Sequence, residues 1–86
     1  MERQEILEKL KEILRGEQFL FLHEQIDEIT ENTSLLSDLV MDSIQILELL
    51  VTVEEKFALT CESEELSVDL FDKVSRLIDF IQKKQS

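Results

Sequence analysis

Ser43 is the residue whose type and position best suit chemistry in this 86-residue chain. It follows Asp42 directly and stands at or next to the first position of an apolar, helix-forming segment. Gln45 lies three residues after Asp42, so Asp42 is predicted to cap the helix and Gln45 to complete a capping box. Because the positive end of a helix favours an anion, the outward-pointing Ser43 hydroxyl is a good attachment point for a phosphate ester.

The simpler interpretation is that Ser43 only caps the helix, as serines at helix starts usually do. A catalytic role is not predicted, because a serine nucleophile needs a nearby base. His23 is the single histidine, and neither a Ser–His–carboxylate arrangement nor ligands at metal-site spacing accompany it. Cys61 is the single cysteine and is predicted to pack as a small half-buried side chain. We therefore expect no enzyme active site and no metal site.

The helix that begins at Ser43 is predicted to run to about Phe57 and to have two apolar faces, at about 100° per residue. One arc has the width of a core-facing side and comprises Ile46, Leu49, Leu50, Val53 and Phe57. A second stripe lies nearly opposite and comprises Ile44, Leu47 and Val51, with Glu48, Glu54 and Glu55 on the same side. Since unpaired carboxylates are costly to bury, the second side should face solvent at least in part.

Two explanations of the second stripe stay open. Leu47 or Val51 could be covered by the connection at residues 23–37 or by the last helix. Alternatively, the stripe is a docking surface for a partner protein that has an apolar groove with a basic rim. The charge distribution favours docking, because ten acidic residues between positions 38 and 72 are opposed by Lys56 and Lys73. Such clustering costs stability through self-repulsion, which a recognition role explains.

The rest of the chain is also predicted to be helical, so the fold class is all-α: a small four-helix bundle of three main helices and one short helix. The first helix buries Ile6, Leu7, Leu10, Ile13 and Leu14, and the last buries Val74, Leu77, Ile78 and Ile81. The first helix ends near Gly16 or continues to about Leu22. The long connection that follows is expected to bury Ile26 and Ile29. A short helical turn is predicted between Leu66 and Phe71, and fraying from Lys83 onward.

Composition limits the partners and the location. The net charge of −11 disfavours nucleic acid and anionic membranes and favours proteins with basic patches. The longest apolar run has four residues, and the N-terminus lacks the pattern of a secretory signal. We expect residues 1–86 to form one domain that is soluble and monomeric. We also expect it to be cytoplasmic, because a single cysteine cannot build a disulfide framework.

The stretch DLVMDSIQILELLVTVEEKF, residues 38–57, resembles the signature of the acyl carrier protein family. That signature is roughly D-L-G-x-D-S-L, followed by an amphipathic helix with E-L and E-E. Asp38 and Leu39 match its first two positions and Asp42 and Ser43 its central pair, whereas Val40 replaces the usual Gly. The segments ITENTSLLSDL and VSRLIDFIQ are similar to the family's loop before the motif and to its last helix.

The resemblance implies that Ser43, next to Asp42, receives 4'-phosphopantetheine from coenzyme A through a phosphopantetheinyl transferase. The terminal thiol of that arm would carry an acyl group as a thioester, and the protein itself would catalyse nothing. Acyl-loading, condensing or acyl-transferring enzymes with basic patches would recognise Asp38, Ile44, Leu47, Glu48, Val51, Glu54 and Glu55. The acyl chain would retract in part between the core face of the second main helix and the last helix.

The departures from the signature bear on the pathway. Val40 and the absence of Pro after the second main helix favour a specialised polyketide, modified-lipid or fatty-acid-like pathway over housekeeping fatty-acid synthesis. A carrier of aminoacyl, D-alanyl or peptidyl groups remains an alternative, as does an unmodified acidic module for protein interaction.

Overall fold

A computed structural model of the chain describes residues 1–85. It contains four α-helices: α1 (Arg3–Leu14), α2 (Ser43–Phe57), α3 (Val68–Asp72) and α4 (Val74–Gln85). Short 3₁₀ helices at Glu17–Leu22, Ile26–Glu28 and Ser63–Glu65 lie in the connections. No strand occurs within residues 1–85, so the predicted all-α bundle of three main helices and one short helix is confirmed. None of the helices in this range has the length and apolar content that a membrane span requires.

The core is one continuous apolar cluster to which every α-helix contributes. α1 packs against both α2 and α4, and α3 packs against α4. All the residues predicted to face inward on α1, α2 and α4 are buried, as are Ile26 and Ile29 from the long connection. The helical periodicity of the sequence therefore identified the inner faces of the main helices correctly.

The end of α1, which the sequence left open, lies at Leu14. Gly16 is extended, and the following apolar run forms the first 3₁₀ helix instead of prolonging α1. The segment is kinked at Phe19, whose φ of −120° and ψ of 31° are not helical, and the side chains of Phe19 and Leu22 are both fully buried. The run therefore supplies two core residues without a further turn of α-helix.

Two boundaries near the C-terminus differ from the prediction. The short helical turn expected between Leu66 and Phe71 is α3, which begins and ends slightly later, at Val68 and Asp72. Helix α4 continues to Gln85, so the predicted fraying at Lys83 and Lys84 is wrong, and Ser86, the end of the predicted tail, lies outside the described residues. Lys84 forms a salt bridge with Glu65, which ties the last turn of α4 to the preceding connection.

The connection between α1 and α2 is held against the start of α4. The backbone N–H groups of Val74 and Ser75 donate to the carbonyl oxygens of Thr33 and Glu31, both at 2.9 Å. These bonds satisfy donors that the first turn of a helix leaves without intrahelical partners. The Arg3 guanidinium of α1 also binds the Glu31 carboxylate, with Nη2 2.6 Å from Oε1, and this bond raises the pKa of Arg3. The connection is therefore fixed to both terminal helices.

Val40 and Ala58 have left-handed backbone conformations, with φ of 51° and 53°. Ala58 caps the C-terminus of α2 through its N–H bond to the carbonyl oxygen of Glu54. Val40 lies between the buried Leu39 and Met41 and is itself exposed. A positive φ is unfavourable for any residue with a Cβ and is an outlier for a β-branched one. Val40 stands where the carrier signature usually has Gly, so the conformation explains that preference.

We predict that Val40→Gly stabilises the protein by about 1 kcal/mol. Removing the Cβ relieves about 1–2 kcal/mol of left-handed strain, whereas the added freedom of the unfolded chain costs about 0.4–1 kcal/mol. Ala58→Gly is the matched control and should gain less, because Ala is not β-branched. The measurement is the free energy of unfolding in urea. A lower value for Val40→Gly than for the original chain would contradict the strain.

Candidate functional site

The start of α2 is fixed by a reciprocal capping box. The Gln45 N–H donates to Asp42 Oδ1 at 2.9 Å, and the Asp42 N–H donates to Gln45 Oε1 at 2.8 Å. The predicted N-cap and its partner are therefore confirmed. The preceding residue, Met41, is buried, and its N–H donates to the carbonyl oxygen of Leu35 at 3.0 Å. Hydrogen bonds on both sides of the boundary thus set where the first turn of α2 points.

Ser43 occupies the first position of α2, and its side chain is exposed. A groove of about 620 Å³ opens beside it, between the start of α2 and the start of α3. The groove is lined by Leu36, Met41, Asp42, Ser43, Ile46, Leu47, Leu66, Ser67, Val68 and Phe71. Most of this lining is apolar, and the polar side chains are two serines and the capping aspartate. A substituent on the Ser43 oxygen can therefore leave toward solvent or lie along the groove.

The interior of the bundle offers much less space than the groove. A cavity between Leu49 of α2 and Leu77 of α4 has a volume of about 10 Å³, roughly the space of a single water molecule. The region between the core face of α2 and the last helix, where the resemblance places a retracted acyl chain, is therefore filled. The open apolar space next to Ser43 lies beside α3 instead.

The second apolar stripe of α2 faces solvent. Ile44, Leu47 and Val51 are each more than half exposed. Neither the connection that precedes α2 nor helix α4 covers them, so the first of the two explanations is wrong. Glu48 and Glu55 are exposed on the same helix. An uncovered apolar strip with carboxylates beside it is what a protein-docking surface requires.

Two of the acidic residues predicted to bind partners also hold the backbone. Asp38 accepts the Ser34 N–H through Oδ2 at 2.8 Å, which closes a turn ahead of α2. Glu54 is half-buried and accepts the Cys61 N–H through Oε2 at 2.8 Å, just after α2 ends. Their carboxylates thus have structural partners that a count of acidic residues does not reveal.

The connection that forms one wall of the groove is tied to α4 by an ion pair. Lys84 Nζ lies 2.6 Å from Glu65 Oε1, and Glu65 is next to the groove residue Leu66. The hydrogen bond to Lys84 holds the pKa of the Glu65 carboxyl below its ordinary value. The same bond holds the pKa of the Lys84 ammonium above its ordinary value.

The other residues that could take part in chemistry, His23 and Cys61, do not line the groove beside Ser43. His23 is exposed, with Nε2 3.1 Å from the carbonyl oxygen of Gly16. Cys61 is half-buried as predicted, and burial followed by the charge of Glu65 raises the pKa of its thiol, which disfavours the reactive thiolate. Within residues 1–85, no group of three His, Cys, Asp or Glu side chains is placed to hold a metal ion.

Comparison with known proteins identifies the family. The family described as "Phosphopantetheine attachment site" matches residues 20–81. An acyl carrier protein of Rubrobacter xylanophilus is 30% identical over 86 residues, which cover 100% of this chain and 99% of that protein. Acyl carrier proteins of Borreliella burgdorferi strain ZS7 and of Buchnera aphidicola from Schizaphis graminum are 34% and 32% identical, covering 99% and 88% of this chain and 99% and 89% of theirs.

The chain belongs to the acyl carrier protein family. Members hold acyl groups as thioesters on a covalently attached 4'-phosphopantetheine and are not themselves enzymes. They interact with phosphopantetheinyl transferases and with acyl-handling enzymes. The exposed hydroxyl at the start of α2, next to an open apolar groove, fits such an attached group sterically.

The sequence did not reveal the groove of this carrier. Its lining comes from the segment before α2, from α2 and from α3. The available signal was the pair Leu66 and Val68, two apolar residues within a strongly acidic segment. Both are exposed, and helical periodicity alone could not place them opposite Ser43.

The Glu65–Lys84 pair predicts a specific pH dependence. The folded-state pKa of Glu65 lies below its ordinary value of 4.5, so its stabilising effect is complete above that pH and is lost as the pH falls below it. Glu65→Gln should therefore lose less stability between neutral pH and about pH 3 than the original chain. The measurement is the free energy of unfolding in urea at both pH values, at low salt because salt weakens a partly exposed ion pair. Equal losses would show that the pair contributes nothing.

The Lys84 side of the same pair predicts a loss of stability at high pH. Its raised folded-state pKa makes its contribution complete below its ordinary value of 10.5 and lost as the pH rises through the folded-state value. Glu64→Gln is the matched control for Glu65→Gln, since Glu64 is the exposed residue next to Glu65.

Proposed function

We propose that Ser43 is the attachment residue and that this carrier serves a specialised polyketide, modified-lipid or fatty-acid-like pathway. The observation that carries the assignment is the position of the Ser43 side chain: exposed, on the first residue of α2 and at the edge of the 620 Å³ groove. Asp42 caps the helix and so orients Ser43 beside the proposed attachment point.

The attachment step is a phosphoryl transfer to the Ser43 hydroxyl. Ser43 Oγ forms a bond to the phosphorus nearest the pantetheine half of coenzyme A, and the P–O bond to the other half breaks. Adenosine 3',5'-bisphosphate leaves, and the hydroxyl proton passes to a base of the transferase. The phosphodiester that results is an anion at the positive end of α2, which the helix stabilises.

The groove supports an apolar cargo. Its floor is formed by the buried Met41, Ile46 and Phe71, and its rim by the exposed Leu66 and Val68. An acyl chain lying there would remove apolar surface from water on both sides, at about 25 cal/mol per Å². This lining favours an acyl cargo over an aminoacyl one, whose ammonium group would lie against apolar side chains.

Partner enzymes are proposed to bind the exposed face of α2. Ile44, Leu47 and Val51 supply apolar contact area, and Glu48 and Glu55 attract basic residues at the rim of the partner's groove. Asp38 and Glu54 would add to the negative field while keeping their backbone contacts. We also propose that residues 1–86 act as one monomeric carrier domain in the cytoplasm.

The first prediction of this function concerns mass. Incubation of the purified chain with coenzyme A, magnesium and a broad-specificity transferase should add the mass of one phosphopantetheine. Ser43→Ala should abolish the gain, because the attacking oxygen is removed. Ser67→Ala is the matched control, since Ser67 lies across the same groove. The Ser67→Ala variant should still gain the full mass of one phosphopantetheine. The measurement is the intact mass; a gain that persists in Ser43→Ala would refute the assignment.

The second prediction separates the carrier from an unmodified interaction module, for which the exposed stripe would be sufficient. In a carrier, reversing the charge of Glu48 and Glu55 together should raise the carrier KM of the transferase by roughly tenfold, corresponding to about 1.4 kcal/mol. Glu8→Lys with Glu12→Lys is the control, because it reverses two charges at exposed positions of α1. If Ser43→Ala leaves pathway activity intact while the α2 reversal abolishes it, the protein is an interaction module.

A further inference from the structure

Val40 combines a strained backbone with a displayed apolar side chain. Its φ is 51°, in the left-handed region, and its side chain is 73% exposed. It lies three residues before Ser43. A valine in this position gives up the stability that Gly would supply and buries little apolar surface in return. Folding of this chain therefore does not account for the residue.

The backbone at Val40 is held by its neighbours. The side chains of Leu39 and Met41 on either side are buried, and their N–H groups donate to the carbonyl oxygens of Ser34 and Leu35 at 3.1 and 3.0 Å. With both flanking side chains turned inward, the side chain between them points to solvent. Strained residues that the surroundings hold in this way cluster at functional sites, and the inference runs from the observed outlier to the function.

Val40 lies within reach of a standard protein interface around Ser43. Three peptide units span at most about 11 Å between the two Cα atoms, at 3.8 Å each. A standard protein interface buries about 800 Å² on each partner, which corresponds to a disc with a radius of about 16 Å. A transferase interface of this size that is centred on Ser43 therefore extends as far as Val40.

We propose that Val40 is an apolar anchor for the phosphopantetheinyl transferase, seated in a small apolar pocket beside that enzyme's coenzyme A site. This inference rests on the proposed function, because it requires Ser43 to be the modified residue. Val40 precedes Ser43 and Ile44 follows it, and both side chains are exposed, so the docking surface extends to both sides of the attachment residue. The carboxylates of Asp38 and Asp42 nearby match a pocket whose rim is basic.

The test measures kcat and carrier KM for modification of the full chain by coenzyme A and a purified broad-specificity transferase. Val40→Gly and Val40→Ala should raise KM about fivefold to tenfold with kcat within about twofold, because an apolar anchor contributes to binding. Val40→Leu should keep KM within about twofold, since it restores an apolar side chain. Ala58→Gly is the matched control: it changes the other left-handed residue, at the far end of α2, and should leave both constants unchanged.

Stability separates a binding defect from a folding defect. Val40→Gly should unfold at a higher urea concentration than the original chain and yet bind the transferase more weakly. A merely structural role would change stability and transferase binding in the same direction. Unchanged KM in Val40→Gly and Val40→Ala overturns the anchor. So does a defect that Val40→Leu shares, or one confined to kcat. If the original chain is not modified at all, the proposed function itself fails, which is a distinct result.

Discussion

Burial of the inner face of α2 constrains the rest of the molecule. Fully burying one large aliphatic or aromatic side chain contributes about 1.5–3 kcal/mol, so the five buried residues of this face contribute on the order of 10 kcal/mol. That is comparable to the whole free energy of unfolding of a small protein, about 5–15 kcal/mol. Turning the helix by half a turn would expose this face and press Glu48 and Glu55 into the core. The orientation of α2 is therefore fixed, and the outward direction of Ile44, Leu47 and Val51 follows from it.

The parts of the fold that the sequence predicted in full are those with a long helical period, whereas α3 was expected only as a short turn with slightly different bounds. The inner faces of α1, α2 and α4 follow directly from the spacing of their apolar residues. The 3₁₀ helices and α3 are too short for a period to appear, and tertiary contacts specify them. The bond from the Ser75 N–H to the carbonyl oxygen of Glu31 joins residues 44 positions apart, and no local pattern indicates it. The groove beside Ser43 is built from such segments, which is why its lining became visible only in the structure.

Charge is a second place where the sequence and the structure differ. A count of acidic residues treats them as equivalent, but in the structure their carboxylates make different contacts. Glu65 pairs with Lys84, the Glu54 carboxylate accepts the backbone N–H of Cys61 beyond the end of α2, and Asp38 closes a turn. Glu48 and Glu55 are exposed on the outer side of α2. A carboxylate that accepts a backbone N–H fixes local geometry, so part of the acidic surface stabilises the fold.

Strain at Val40 is tolerated because the burial of its two neighbours outweighs it. The left-handed conformation costs about 1–2 kcal/mol. Burying Leu39 and Met41 on either side contributes about 1.5–3 kcal/mol each. A relaxed conformation at position 40 would turn one of these side chains outward and would displace the start of α2, together with the Asp42–Gln45 box. The geometry that presents Ser43 is thus maintained by core packing, and the identity of residue 40 is left to decide what its exposed surface offers a partner.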